Sequence, residues 1–230
     1  MNWIQRFKYD RNNLLYRKEF VSDFAQRLTE SESLLDAGCG SQQFRGFFSH
    51  CDYYSQDFMQ VASDEKNSFT GYKDAYEYPY KIDFVGNVWE IDTPDESFDN
   101  ILCTEVFEHI AYPIETAIEF ARILKKGGLL CLTVPSNSLR HMDPHYYYSG
   151  FSDRWLQKIL TEEGFEILVL ETVGDYYSWL KVEIYRLFRS ENILGKIGLI
   201  PALINLSIRK ATKESINSLC MGYQVIAKKK

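Results

Sequence analysis

Asp36, Gly38 and Gly40 close a short apolar run in this 230-residue chain, and a second such run ends in Gln56-Asp57. Glycine lets the backbone turn tightly and lets a ligand approach it closely. Gly38-x-Gly40 alone fits any turn from a strand into a helix. Asp57 sharpens the pattern. A carboxylate 17 residues beyond Gly40, at the end of the next strand, can accept both hydroxyl groups of a ribose. The two features together suit a nucleoside. A dinucleotide would want a further glycine at position 43, so that its pyrophosphate can rest on the start of the helix. Gln43 stands there, and Ser41-Gln42-Gln43 suits a ligand without a pyrophosphate.

These residues need a frame. Leu14, Phe20, Val21, Phe24 and Leu28 recur at helical spacing and predict one amphipathic helix within 1–30. Apolar runs predict strands at 33–36, 53–57, 82–88, 98–104, 129–134 and 166–173, with a last one at 223–228. Helices are expected from the fourth strand through Lys125, and at 153–163, 176–189 and 194–209. Lys126-Gly127-Gly128 and Gly164 read as helix stops, with Lys125 and Lys126 as charges complementing a helix C-terminus. Residues 58–81 are polar and tyrosine-rich without periodicity, and loops that long are uncommon unless they serve a function. Apolar strands alternating with helices predict an α/β fold, a mostly parallel sheet covered on both faces. Ligands bind such sheets beyond the carboxyl ends of the strands. Asp36 to Gly40, Asp57, Asn87, Thr104 and Pro135 all fall at those ends.

Composition narrows the class. The net charge of −6 speaks against a nucleic-acid partner, which wants a basic footprint. The charge is uneven: residues 185–230 hold nine Lys/Arg and two Glu, a net of +7, against 17 basic and 30 acidic residues, a net of −13, in the rest. The five cysteines form no C-x-x-C pair, so neither a disulfide framework nor a zinc site is suggested. No apolar stretch reaches about 18 residues, so no transmembrane helix is expected. Residues 1–13 carry no apolar signal core, and cytoplasmic residence is expected. The length fits a single domain over 1–230, with a ligand-binding core at 31–173, a helical insertion at 174–220 and a last strand at 221–230.

Four segments, in order and correctly spaced, then carry a specific likeness. They are Leu34-Leu-Asp-Ala-Gly-Cys-Gly40, Gln56-Asp57, Ser97-Phe-Asp-Asn-Ile-Leu-Cys-Thr-Glu-Val-Phe-Glu-His109 and Arg122-Ile-Leu-Lys-Lys-Gly-Gly128. Over roughly 30–175 the chain resembles the class I S-adenosylmethionine-dependent methyltransferases. The resemblance implies a Rossmann-like seven-stranded sheet whose last strand is antiparallel, and S-adenosyl-L-methionine as cofactor. It implies cofactor contacts from Asp36, Gly38, Gly40, Gln56, Asp57, Asn87, Val88 and Thr104. The Gly38–Gly40 turn would meet the methionine part, Asp57 the ribose and Asn87 the adenine amine. Two positions depart from the family pattern: Gln42 replaces its usual third glycine, and Asn87 its usual aspartate. Asn87 can still accept a hydrogen bond through its carbonyl oxygen. A narrower likeness, over Ser138-Leu-Arg-His141, His145-Tyr-Tyr-Tyr-Ser-Gly-Phe-Ser152 and Gly174-Asp-Tyr-Tyr177, is to methyltransferases of polysaccharide and cell-surface glycan gene clusters. It suggests a small, sugar-like acceptor.

The activity implied is methyl transfer to O or N of a small molecule, and an acceptor that is a hydroxyl or an ammonium needs a place for its proton. Histidine as a residue type titrates near neutral pH. His145 and His141, in the loop after the fifth strand, are the candidate bases, with His145 ranked first because it adjoins Tyr146-Tyr147-Tyr148. Glu105, His109, Tyr146 and Tyr147 are candidate acceptor contacts, although Glu105 and His109 also suit the packing of a helix start. His141-x-Asp143-x-His145 has the composition of a metal set, but transfer from a sulfonium needs no metal and the segment shows no further ligands; no metal is expected. Trp179, Leu180, Ile184, Leu187 and Phe188 form one apolar face, and Ile193, Leu194, Ile197, Ile200, Ile204 and Ile208 another. Packing on the core, a homodimer interface, and weak contact of 176–213 with an anionic membrane surface are the readings open for them. The rival functions are an NAD(P)-dependent oxidoreductase on a related sheet and a non-catalytic, cofactor-binding adaptor.

Overall fold

Leu34 and Leu35, Ile101 and Leu102, and Leu130 and Cys131 are adjacent pairs, every one of them fully buried. Successive side chains of a strand point to opposite faces, so such pairs require cover on both sides of the sheet. The computed structural model, which describes residues 13–59 and 79–230, supplies that cover. Strands β1 (Ser33–Ala37), β2 (Asp52–Asp57), β3 (Phe84–Val85), β4 (Phe98–Thr104), β5 (Leu124–Pro135), β6 (Phe165–Val173) and β7 (Gly222–Lys229) form one sheet. Their order is β3-β2-β1-β4-β5-β7-β6. The pairs from β3 to β5 are parallel, and β7 runs antiparallel between β5 and β6.

On one face Leu34, Leu102, Cys131 and Ile226 meet Phe20, Val21 and Phe24 of helix α1 (Asn13–Ala25). On the other, Leu35, Ile101, Leu130 and Val225 pack with Phe120 and Ile123 of α2 (Pro113–Ile123) and Leu156 and Leu160 of α3 (Asp153–Glu162). Each such leucine or phenylalanine contributes about 1.5–3 kcal/mol by leaving water. Two connections from the carboxyl ends of the parallel strands, after β1 and β4, pass the same edge, and they build the site.

Three expectations change. The third strand spans two residues, not 82–88. Only Gln56↔Phe84 and Asp57↔Val85 pair, and the Asp83 carboxylate binds Ser55 N and Oγ. Ile82 and Val88 are apolar because they are buried, not because they pair. Helix α2 ends at Ile123 rather than Lys125, because Leu124 already pairs with Phe98 in the sheet. Lys125 and Lys126 therefore lie in β5 and serve no helix end; Lys125 Nζ holds both oxygens of Asp99 at 2.9 Å. Gly128 is required there, since a Cβ would lie 2.5 Å from the Asp99 carbonyl oxygen.

After β6 come α4 (Tyr176–Ser190), α5 (Ile193–Ile208) and α6 (Lys213–Ser218), one helix more than the sequence pattern gave. Helix α5 turns Leu203 and Leu206 inward, while Ile193, Leu194, Ile197, Ile204 and Ile208 are more than half exposed. That isoleucine face does not pack on the core. Among the described residues no helix is long and apolar enough to cross a membrane. All five cysteines are free. The expectations for 60–78 and for residues before 13 lie outside the described residues.

Candidate active site

The turn after β1 is left-handed at Gly38 (φ +68°), Gly40 (φ +51°) and Gln42 (φ +55°). L-residues rarely adopt such angles, and a Cβ on Gly38 would come within 2.5 Å of Val106 Cγ2. Gly38 thus lets the β1 turn pack against the β4 turn. Gln42 sits where the family pattern has glycine. It is buried, accepts a hydrogen bond from Arg45 Nη1 at 2.8 Å and donates one to the Lys81 carbonyl at 3.4 Å. Two side-chain bonds offset the strained backbone, and a short 3-10 turn (Arg45–Phe48) follows.

At the end of β2, Gln56 Oε1 accepts Gly38 N–H at 3.1 Å and its Nε2 donates to the Gly86 carbonyl at 2.6 Å. Asp57 Oδ2 accepts Gly40 N–H at 2.8 Å, and Oδ1 accepts Met59 N–H at 2.9 Å. One side chain thus ties β1 to the β3 turn, and the next orders the glycine turn. Each carboxylate oxygen has a second lone-pair direction. Asp36 faces away from this space. It is buried and accepts Tyr53 Oη at 2.5 Å; burial, opposed by that bond and aided by the charge of Asp57, pushes its carboxyl up to about 7.

Beyond β4 the chain turns through Glu105 at φ +54° into a 3-10 turn, Phe107–His109. Glu105 Oε1 accepts Thr133 Oγ1 at 2.9 Å. His109 Nδ1 donates to the His145 carbonyl, and His141 Nδ1 donates to the Leu139 carbonyl, both at 2.7 Å. The His109 and His141 rings meet edge to face at 4.6 Å. The Glu108 carbonyl accepts Tyr147 N–H at 2.9 Å and Tyr148 N–H at 3.2 Å, fastening the 145–148 loop across the β4 turn. Burial, with the neighbouring charge of His141 and opposed by the bond to His145, lowers His109 to about 4. Burial and then Glu105 hold the Glu108 carboxyl well above the usual carboxylate range.

One cavity joins the two turns. Gly38, Gly40, Gln56, Asp57, Asn87 and Val88 line one part of it, and Glu105, His109, His145 and Tyr147 another. Four expected site residues do not reach it. Asp36 is turned to Tyr53. Thr104 ends β4 in register with Thr133. Tyr146 bonds the Ser138 carbonyl and stands against His141. His141 lies behind His109. The lining also includes Phe58, Gly86, Trp89, Val106, Ile110 and Met142, which the sequence reading passed over. Phe58 and Trp89 each directly follow a residue that was named, so adjacency was the available signal. Arg122, in a segment recognised but given no task, bonds Glu119, Asp95 and the carbonyls of Thr93 and Ile91, fixing the 91–95 loop.

An α/β sheet with a glycine turn and a buried carboxylate at adjacent strand ends defines a nucleoside-binding protein of the Rossmann-like class. The family model of the methyltransferase domain matches residues 8–181, and the chain belongs to that family. Its cofactor is S-adenosylmethionine. Among curated proteins, the ubiquinone biosynthesis O-methyltransferase of Maricaulis maris is 31% identical over 119 residues, 49% of this chain and 44% of that protein. The chain therefore spans less than half of that relative's length. An uncharacterized protein of Methanocaldococcus jannaschii, MJ0638, is 25% identical over 175 residues, 75% of this chain and 69% of that one. A solved SAM-dependent methyltransferase of Methanosarcina mazei is similar at TM-score 0.52 and 16% identity, covering 88% of this chain and 94% of that one. So is the [4+2]-cyclase SpnF, at TM-score 0.53 and 20% identity over 90% and 80%. These two likenesses concern the fold, which hosts more than one reaction.

Proposed function

We propose that this methyltransferase methylates a hydroxyl oxygen of a small, sugar-like acceptor. The observation that carries this is the cavity, with a carboxylate and glycines in one part and histidine, glutamate and tyrosine in the other. Asp57 holds the ribose, the Gly38–Gly40 turn approaches the methionine part, and Asn87 with Val88 borders the adenine. When bound, S-adenosylmethionine supplies a methyl group already activated on a sulfonium. The protein's task is to align the acceptor and exclude water. Glu105, His109 and Tyr147 orient the acceptor. His145 takes the hydroxyl proton as the oxygen–carbon bond forms and the carbon–sulfur bond breaks, its electron pair staying on sulfur. The Maricaulis relative is named as an O-methyltransferase, which favours oxygen as the methylated atom.

Two measurements test this. S-adenosylhomocysteine raises the melting temperature by mass action and NAD does not; the reverse result would restore the oxidoreductase rival. A panel of small alcohols, sugars and amines is then incubated with labelled cofactor. Label transferred only to amines overturns the assignment to oxygen.

We extend the proposal to the outer face of α5. Its exposed isoleucines adjoin Lys196, Arg209, Lys210 and Lys213, and an apolar face bordered by cations suits reversible contact with an anionic membrane surface. Vesicles containing phosphatidylserine carry the protein upward in flotation at low salt, and Ile197→Ser with Ile204→Ser reduces the floated fraction severalfold. A protein that stays in the bottom fraction removes the membrane reading. A doubled mass in solution that the same pair of substitutions halves assigns the face to a homodimer.

A further inference from the structure

Glu108 has no task in the chemistry above. Its side chain is 2% exposed, and its Oε2 has no hydrogen-bond partner. A carboxylate that deep ordinarily has both oxygens occupied by a cation or by donors. Arg17 attracts it at a distance and Glu105 repels it. His109 Nε2 lies 3.7 Å from its Oε1, too far for a hydrogen bond.

The two neighbouring histidines are set up alike. Carbonyl oxygens only accept, so Nδ1 of His109 and Nδ1 of His141 carry the hydrogens given to His145 and Leu139. An imidazole with its hydrogen on Nδ1 presents its lone pair at Nε2. Metal-ligating histidines are oriented by this same bond from the other ring nitrogen. Glu108, His109 and His141 each offer one ligand atom, all within 4.8 Å of one another. Donors on one ion lie roughly 3.4–4.2 Å apart at bond lengths of about 2.1 Å. Side-chain shifts of about 1 Å therefore close the set.

We propose that Glu108, His109 and His141 bind one divalent first-row transition-metal ion beside the cavity, where an oxygen of the methyl acceptor completes its coordination. The assignment rests on the acceptor being a hydroxyl. Two imidazoles and one carboxylate suit Zn²⁺, Mn²⁺ or Fe²⁺, whereas Mg²⁺ and Ca²⁺ want oxygen throughout. Three protein ligands leave a position open for substrate. Of the three ligands His109 lines the cavity, with Glu105 beside it, and Glu108 and His141 stand behind, so the ion borders the acceptor space on the His109 side. A bound cation makes a hydroxyl a stronger acid. His145, in the same part of the cavity, receives the proton. The ligand set differs from the one the sequence offered for consideration: Asp143 is exposed and pairs with Arg140, while His141 joins residues from the β4 turn.

Chelator-treated protein is dialysed against Zn²⁺, Mn²⁺ or Mg²⁺ and its metal content measured, with S-adenosylhomocysteine affinity followed in parallel by calorimetry. The site predicts one equivalent of Zn²⁺ or Mn²⁺ and weaker retention of Mg²⁺. Glu108→Gln and His141→Ala each lower metal affinity at least tenfold, with S-adenosylhomocysteine affinity within twofold of the parent, while Asp143→Asn changes neither. Protein that binds S-adenosylhomocysteine but neither metal overturns the site and leaves methyl transfer standing. Full metal affinity in both the Glu108 and His141 variants also overturns it. Transfer of label only to amines strikes the hydroxyl assignment, whatever the metal content.

Discussion

Asp57→Ala weakens S-adenosylhomocysteine binding by roughly 1.5–3 kcal/mol, or about 10- to 150-fold, the range for hydrogen bonds made to a charged group. Two losses combine in this variant. The ribose loses its acceptor, and the N–H groups of Gly40 and Met59 lose the oxygens that order the turn. Asp57→Asn separates them. Its single carbonyl oxygen can still receive the Gly40 N–H, but the site no longer offers a carboxylate to two hydroxyls. Calorimetry should place Asp57→Asn between the parent and Asp57→Ala in affinity, and thermal unfolding without ligand should place it closer to the parent in stability. Unchanged affinity in Asp57→Ala would remove Asp57 from the cofactor site. Equal affinity in parent and Asp57→Asn, with loss only in Asp57→Ala, would make Asp57 a support of the turn alone.

The central strands were legible because both faces of the sheet are covered. Burial on two sides writes uninterrupted apolar runs, as at Leu34-Leu35 and Leu130 to Leu132. The same signal misled at 82–88, where Ile82 and Val88 are buried beside a strand of two residues. Hydrophobicity reports burial and does not report hydrogen bonding between strands. Lys125 read as a helix end because its partner, Asp99, is a tertiary contact that no local pattern carries. Helix α6 was invisible for a related reason. It has six residues and is held by the Thr212 cap and by the bond from Ser215 to Asp175, 40 residues away. The site divides along the same line. Gly38, Gly40, Gln56 and Asp57 sit at the ends of adjacent strands, so spacing alone placed them together. Glu108 and His109 are tied to the 145–148 loop by carbonyl bonds across more than 30 residues, His141 meets His109 ring to ring, and only the fold shows Glu108 as a buried, unsatisfied group. Asp36 has the family's sequence position yet faces Tyr53, because residues one apart on a strand point to opposite sides.

His145→Ala lowers turnover at least tenfold while S-adenosylhomocysteine affinity stays within twofold. A positioned base contributes about 10²- to 10⁴-fold to a proton transfer, so tenfold is the floor. Of the histidines, His145 and His109 line the cavity, and His109 is committed through Nδ1 to the His145 carbonyl. That bond uses backbone, so alanine at 145 keeps it and His109 stays oriented. What the substitution removes is the imidazole, half-buried and edge to face with Phe58 at 4.9 Å. A loss confined to turnover, with KM for the acceptor little changed, is the mark of a group that acts in the transition state. His145→Phe preserves the packing on Phe58 without a proton acceptor and should be as slow as His145→Ala. Full turnover in both variants would free His145 of the base role and leave the hydroxyl proton to water beside the metal site. Recovery in His145→Phe alone would show that the ring shapes the cavity and moves no proton.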